Sequence, residues 1–215
     1  MFWKGRREST NVDDRRGISG GGLAAGGGIV GVIVYLLYTF LSGGQVDPSQ
    51  IPPVQPTSQT EMSAEEKAAD DERAKFVKVV LADTEDAWNK LFAAQGKDYP
   101  EPTLVMFRGA VQSACGTAQS AMGPFYCPGD EKLYIDLAFF RDLQTRLRAP
   151  GDFAQAYVIA HEVAHHVQKL TGAFQKLEAA RARGPKAEFN QMSVRMELQA
   201  DCYAGVWGHH AGNMK

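Results

Sequence analysis

Apolar residues recur at helical spacing along much of the chain after residue 60 and predict most of its elements. The sequence Ser63-Ala-Glu-Glu66 matches a capping box and predicts the start of a first helix, which Gly96 and Pro100 end. The apolar face of that helix consists of Phe76, Val77, Val80, Leu81, Trp88, Leu91 and Phe92. Further helices are predicted over about 139–147, 153–170, 173–182 and 188–207.

Two short runs rich in β-branched and aromatic residues predict strands over 103–108 and 132–137. Between them, glycine and proline punctuate residues 109–129, and the stretch 123–128 admits two interpretations. It is either an edge strand able to pair with an extended peptide or a structural loop closed by a disulfide. The order of one helix, then strands, then helices predicts an α+β fold rather than a regular βαβ alternation.

The hydropathy pattern before residue 60 differs from that of the rest of the chain. Residues 1–16 are polar and basic, residues 23–41 form an apolar run without charge, and residues 42–60 are rich in proline. An apolar run of about 20 residues is long enough to cross a bilayer as a helix. We therefore expect a cytoplasmic basic N-terminus over 1–16, a single transmembrane helix as anchor over 17–41, a linker over 42–60, and a folded domain over 61–215.

The charges around the apolar run predict its orientation. Arginines precede the run and Asp47 follows it, so the positive-inside rule places the N-terminus in the cytoplasm and the domain outside the inner membrane. A cleaved signal peptide is the alternative, but the run is long for one and no Ala-x-Ala site follows it. We therefore expect a single-pass protein of the cell membrane.

Composition and cysteine spacing narrow the class of protein. The chain of 215 residues is 44% hydrophobic and 22% charged, as in globular proteins, and its formal net charge of −2 gives no reason to expect nucleic acid as a partner. Turn residues separate Cys115 from Cys127, which are candidates for a disulfide if the domain lies outside the cytosol; two buried free thiols are the alternative. Cys202 is expected to be a small buried residue.

The strongest chemical pattern is His161-Glu-Val-Ala-His165, on the helix predicted over 153–170. Residues four apart lie on one face of a helix, so both imidazoles can reach one metal ion, and Glu162 can reach a water beside it. The alternative is a helix with two surface histidines. Apolar neighbours predict a buried helix, where unpaired histidine and glutamate are costly. We therefore expect a Zn2+ ion, although ligand type leaves other divalent metals open.

A catalytic zinc site usually has three protein ligands and a water. The last predicted helix carries Glu197 and Asp201, which are four apart and hence on one face. We assign Glu197 as the third ligand and Asp201 as the acceptor of the N–H of a ligand imidazole, that of His161. The reverse assignment and two unconnected surface carboxylates are the alternatives. Apolar neighbours, Cys202 among them, predict that both carboxylates are enclosed and need partners.

These residues define a mechanism as a hypothesis. Glu162 takes a proton from the zinc-activated water and delivers it to the leaving amine. A further donor should stabilise the oxyanion, and the sequence does not choose among the candidates. His166 lies about 100° from His165 around the helix and is expected to pack rather than to bind metal. By residue type, the oxyanion candidates are Tyr157, His166, Tyr203, His209 and His210.

Together these motifs make the chain resemble the bacterial membrane-anchored neutral zinc metallopeptidase family. The resemblance covers nearly the whole chain and implies a zincin-like fold, a zinc cofactor and peptide hydrolysis. The spacing of Glu197 and Asp201 resembles the glutamate-zincin pattern, which supports Glu197 as the ligand. Family members continue beyond the last motif, so we expect the chain to be C-terminally incomplete. The matching segments are Trp3-Lys-Gly-Arg-Arg-Glu-Ser9, Asp14-Arg-Arg-Gly17, Ser113-Ala-Cys-Gly116, Gly123-Pro-Phe-Tyr-Cys-Pro128, Tyr134-Ile-Asp-Leu137, His161-Glu-Val-Ala-His-His-Val-Gln168 and Leu198-Gln-Ala-Asp-Cys-Tyr-Ala-Gly-Val-Trp207.

The leading functional hypothesis is a membrane-anchored zinc peptidase that acts on a peptide or protein substrate. Two alternatives stay open. One is a zinc-stabilised, non-catalytic binding or scaffold protein, and the other is a zinc hydrolase of a non-peptide amide such as cell-wall material. Glu162 favours an enzyme over a scaffold, because a structural zinc site has no use for a base and usually fills its fourth position with protein.

Overall fold

The computed structural model describes residues 2–17, 62–146, 148–149 and 151–212, which form a small sheet packed against helices. This arrangement confirms the predicted α+β class. In chain order, the strands are β1 (Val12–Asp14), β2 (Thr103–Phe107), β3 (Ala110–Ser113), β4 (Gly116–Gln119), β5 (Phe125–Cys127) and β6 (Lys132–Asp136). The helices are α1 (Ala64–Ala93), α2 (Ala138–Thr145), α3 (Asp152–Leu170), α4 (Ala173–Arg183) and α5 (Lys186–Gly212), with a 3-10 turn at Ser120–Met122.

The predicted capping box starts helix α1. The backbone N–H of Glu66 donates to Ser63 Oγ at 3.2 Å, and the backbone N–H of Ser63 donates to Glu66 Oε2 at 2.9 Å. Both bonds satisfy N–H groups that have no partner within the helix. The apolar face of α1 then packs against α3 and α5, and this contact forms the main core.

The main sheet has the strand order β1-β2-β6-β5. β1, β2 and β6 run parallel, and β5 pairs antiparallel with β6. Alternate residues of β2 point to opposite faces: Leu104 and Met106 join the helical core, whereas Val105 and Phe107 join a smaller cluster with Tyr134. The helices therefore cover one face of the sheet, and β5 lies at the edge beside α3.

A two-stranded hairpin, β3 paired with β4, follows β2 and was not predicted from the sequence. The predicted disulfide is present and joins Cys115, at the turn of this hairpin, to Cys127 of β5, with their Cα atoms 5.8 Å apart. Of the two interpretations of 123–128, the structure shows the edge strand: β5 stands last in the order of the described strands and pairs with β6. The disulfide thus fixes the hairpin to the edge strand.

The N-terminal residues pack on the domain, although the sequence predicts a separate segment over 1–16. β1 pairs with β2 through Val12 opposite Leu104, and Arg6 lies 2.6 Å from Asp83 of α1. Arg16 also forms an ion pair with Asp70 of α1. β1 and β2 belong to one sheet, so residues 12–14 are part of the folded domain and not of a segment apart from it.

The remaining N-terminal predictions concern residues that the structure does not describe. The predicted anchor over 17–41, apart from Gly17, and the linker over 42–60 lie outside the described residues. Within the part of the chain that is described, no helix has the length and apolar character needed to cross a bilayer.

Candidate metal centre

The packing of α3 against α5 brings the predicted site residues together. The core side of α3 is built from small and β-branched residues, and this lets α5 lie close to it. His161 and His165, one turn apart on α3, then face Glu197 of α5. The buried residues that hold α3 in place are Ala156, Ile159, Ala160, Val163, Ala164 and Val167.

Three potential ligand atoms converge between these helices. Glu197 Oε2 lies 3.3 Å from His161 Nε2 and 3.6 Å from His165 Nε2. Ligand atoms of His161, His165 and Glu197 all lie within 4.8 Å of one another. Two atoms bound at 2.0–2.1 Å to a tetrahedral zinc ion lie about 3.4 Å apart. The two separations from Glu197 Oε2 are close to this value, so the chemistry and spacing of the three side chains fit a zinc ion.

Asp201 contacts Nδ1 of His161, on the opposite side of the ring from the nitrogen that faces Glu197. Its Oδ1 lies 3.0 Å from His161 Nδ1 and accepts a second hydrogen bond, at 2.8 Å, from the Tyr157 hydroxyl. Burial and the Asp201 carboxylate raise the pKa of Tyr157 to about 12, so this hydroxyl keeps its proton at neutral pH. Asp201 therefore faces Nδ1 of His161 while Glu197 faces Nε2.

Gln168 holds the second histidine, and the sequence reasoning assigned it no role. Its Oε1 lies 2.9 Å from His165 Nδ1. Burial lowers the pKa of His165, which favours the neutral imidazole that binds metals. The sequence feature that could have predicted this contact is the spacing of three residues between His165 and Gln168, which places both on one helix face.

Glu162 lies between the metal-site helix and the edge strand. Burial, assisted by the Glu197 charge, raises the pKa of Glu162 to about 7, although His161 and a hydrogen bond from the backbone N–H of Tyr126 oppose the shift. A carboxyl group with a pKa close to neutrality can both accept and return a proton near pH 7. Tyr126 belongs to β5, so the acid–base candidate lies directly against the edge strand.

His166 is a packing residue, as predicted. It is 1% exposed, its Nε2 donates to the carbonyl oxygen of Pro100 at 2.7 Å, and its Nδ1 lies 3.0 Å from the Tyr126 hydroxyl. Burial lowers the pKa of His166 and keeps the ring neutral, so Nδ1 accepts the tyrosine proton. These contacts commit both ring nitrogens and remove His166 from the oxyanion candidates.

The contacts of the remaining oxyanion candidates do not single out one of them as a hydrogen-bond donor to an oxyanion. The Tyr157 hydroxyl is engaged by Asp201, and Tyr203 packs edge-on against Trp88 with ring centroids 5.5 Å apart. His209 and His210 pack against each other near the end of α5. No contact among the described residues therefore selects an oxyanion donor.

Two predictions about α5 are wrong. The side chains of Glu197 and Asp201 are 61% and 49% exposed, not enclosed by apolar neighbours. Cys202, expected to be buried, is an exposed free thiol. The apolar residues on this helix are spread around it, and only those facing α3 and α1, such as Ala200, are buried. The outer side of the site is therefore open to solvent.

The whole chain matches one protein family. The family model described as "Putative neutral zinc metallopeptidase" matches residues 1–215. The "Uncharacterized protein YpfJ" of Escherichia coli (strain K12) is 50% identical over 218 residues, which cover 97% of this chain and 75% of that protein. The "Uncharacterized protein Rv2575" of Mycobacterium tuberculosis (strain ATCC 25618 / H37Rv) is 45% identical over 118 residues, which cover 54% of this chain and 39% of that protein. No solved structure matches the chain. The chain belongs to the neutral zinc metallopeptidase family.

Proposed function

We propose that the protein is a zinc-dependent peptidase. The observation that carries the proposal is the convergence of His161 Nε2, His165 Nε2 and Glu197 Oε2, with Glu162 next to the first ligand on the same helix. Three protein ligands leave a fourth position for water in a tetrahedral site, which is the arrangement of a catalytic rather than a structural zinc. Family membership supports zinc and hydrolysis at this coarse level.

Each side chain has a role in the proposed reaction. A bound zinc ion lowers the pKa of a water molecule and polarises the carbonyl group of the scissile bond. With zinc bound, Glu162 would accept a proton from the attacking water and would return it to the nitrogen of the leaving amine. Its partly buried position keeps the protonated form accessible near pH 7, so one group serves both transfers. Asp201 orients the His161 ring through the contact between its Oδ1 and His161 Nδ1.

The position of β5 supports an extended peptide as the substrate. β5 is the last strand of its sheet, and Tyr126 at its centre contacts Glu162 through its backbone N–H. A peptide that adds to this edge as a further strand would place its backbone beside the metal site. The Tyr126–His166 hydrogen bond and the Cys115–Cys127 disulfide keep the edge in place.

Location outside the cytosol, at a membrane, is part of the proposal. The disulfide supports an oxidising compartment. Because β1 belongs to the domain sheet, we expect residue 2 and the exposed thiol of Cys202 on the same side of the membrane. A membrane-impermeant thiol reagent applied to intact cells should label wild-type Cys202 and also Phe2→Cys in a Cys202→Ser background. Labelling of only one of them would contradict this placement.

Peptide cleavage with matched variants tests the function. The full chain, loaded with zinc, is incubated with a peptide library, and products are identified by mass spectrometry with and without a chelator. We expect chelator-sensitive cleavage that falls by at least about 100-fold in Glu162→Gln, because the base is lost. The variant should still bind one zinc ion, since Glu162 is not a ligand.

The same experiment separates the alternatives. Zinc binding without cleavage of any peptide would reject the peptidase and favour the scaffold protein. Cleavage of cell-wall amides but not of peptides would favour the non-peptide hydrolase. Full peptide cleavage by Glu162→Gln would show that the proposed base is wrong.

A further inference from the structure

Gln168 is a polar residue at the centre of the core that the proposed chemistry does not use. It lies on α3, one turn after His165, and is 0% exposed. A primary amide has one acceptor oxygen and two N–H donors, and leaving one of these groups unsatisfied in the core destabilises the fold. Here all are occupied. Oε1 lies 2.9 Å from His165 Nδ1, and Nε2 donates to the carbonyl oxygen of Met196 at 2.7 Å and to Gln199 Oε1 at 3.0 Å.

These contacts determine which way the amide faces. The backbone carbonyl of Met196 can only accept a hydrogen bond, so it must face the amide nitrogen of Gln168. The amide oxygen consequently faces His165, and because it too only accepts, His165 Nδ1 must carry the proton. In a neutral imidazole this leaves the lone pair on Nε2. Nε2 is the atom that lies 3.6 Å from Glu197 Oε2 and points into the metal site.

The two donor contacts of Gln168 act on the other side of the site. Met196 immediately precedes Glu197 in α5, and Gln199 follows it by two residues, so both contacts fall on the turn that carries this ligand. The same amide therefore orients the His165 ring and ties α3 to the turn of α5 that carries Glu197. Asp201, by comparison, is bonded to the side chains of His161 and Tyr157.

We propose that Gln168 is a positioning residue of the metal site. It keeps His165 in the tautomer that carries its proton on Nδ1, and it holds Glu197 at the distance that a shared metal ion requires. The inference rests on the proposed zinc site, but it concerns the affinity and geometry of metal binding and not the cleavage of a peptide bond.

The first test needs no variant of Gln168. In the metal-free full chain at pH 8, 15N NMR of labelled histidine reports which ring nitrogen carries the proton. The signals of His165 are assigned by their loss in His165→Asn. We expect the proton on Nδ1. A wild-type His165 with its proton on Nε2 would overturn the proposal, because the amide oxygen of Gln168 would then have no donor.

The second test measures metal binding in Gln168→Met, which keeps the length of the side chain and removes its hydrogen bonds. We expect the Kd for zinc, measured by competition with a chromophoric chelator, to rise about 10–100-fold. The visible spectrum of the cobalt-substituted protein should change as well, because the ligand geometry changes. A folded Gln168→Met variant with a Kd within twofold of wild type would overturn the proposal.

Val167→Ala is the matched control. Val167 is the preceding residue on α3, is buried in the core and has no polar group. Its truncation should lower the urea concentration at the midpoint of unfolding and leave the Kd within twofold of wild type. If both variants weaken zinc binding equally, affinity merely follows stability and the positioning role is rejected. Zinc binding without peptide cleavage would reject the proposed function alone, whereas a wild-type chain that binds no zinc would reject both.

Discussion

The two candidate histidine ligands are held in contrasting ways. His161 is held by Asp201, a charged side chain that is 49% exposed and is itself bonded to Tyr157. His165 is held by Gln168, a neutral side chain that is 0% exposed and is bonded to the backbone of α5. We refer to His161, Glu197 and Asp201 as the outer half of the site, and to Glu162, His165 and Gln168 as the inner half.

The difference indicates that the two partners have different roles: Asp201 tunes metal affinity, and Gln168 positions a ligand. A carboxylate partner raises the basicity of an imidazole, and at an exposed position solvent can replace it without disturbing the core. A buried amide adds no charge, but its loss leaves partners unsatisfied inside the protein. We therefore expect changes to Asp201, the outer partner, to alter mainly metal affinity, and changes to Gln168, the inner partner, to alter affinity and stability together.

Removal of either histidine is expected to have the largest effect. The stability of the metal-free variants should differ between the outer and the inner histidine. Both His161→Ala and His165→Ala should lose stoichiometric zinc binding, because two ligands remain. In chelator, however, His165→Ala should lose about 1–3 kcal/mol of stability, because Gln168 Oε1 is left without its donor in the core. His161→Ala should lose clearly less, since exposed Asp201 is solvated. Urea unfolding measures the free energy of unfolding of both variants. Equal losses would contradict the difference between the outer and the inner half.

Replacement of Asp201 tests the tuning role. Asp201→Asn keeps an oxygen that can accept from His161 Nδ1 but removes the charge. We expect the Kd for zinc to rise about 10–100-fold, with the stability of the metal-free protein changed by less than about 0.5 kcal/mol. Chelator competition and urea unfolding measure these quantities. A large loss of stability at unchanged zinc affinity would reverse the roles of Asp201 and Gln168.

The pH dependence of the free energy of unfolding tests whether Glu162, in the inner half, is buried. Burial raises its pKa in the folded protein to about 7 from an ordinary value of 4.5. Between these values the folded state binds more protons than the unfolded state, so this group lowers stability as pH rises from 4.5 to 7, and the loss is complete above 7. In chelator, Glu162→Gln should therefore gain on the order of 2 kcal/mol over wild type between pH 4 and pH 8. A difference that does not vary with pH would place Glu162 in a solvated environment.

The smallest effect is expected at the outer edge of the site. Tyr157→Phe removes the hydroxyl that donates to Asp201 and leaves the ring in place. One partly exposed hydrogen bond contributes about 0.5–1 kcal/mol, so the Kd for zinc should rise about two- to fivefold. Metal-free stability should hardly change. An increase of tenfold or more would mean that Tyr157 orients Asp201 as strongly as Gln168 orients His165.

The sequence by itself determined the local features of this protein. The capping box at Ser63, the helix ends near Gly96 and Gly172, and the common face of His161 and His165 follow from interactions within a few residues of each other. Such features depend on helical geometry alone, which is the same in any fold. The assignment of Glu197 and Asp201 to one face of a later helix was accessible for the same reason.

The tertiary structure decided the features that depend on contacts between distant elements. β1 spans three residues, too short for an alternating pattern, and it exists only because β2 offers an unpaired edge about 90 residues later. The role of Gln168 depends on the backbone carbonyl of Met196. Because every residue has a backbone carbonyl, the sequence does not show which one accepts this hydrogen bond. Exposure of Glu197 and Asp201 was likewise set by where α5 meets α3, because one helix pattern is compatible with several packing angles.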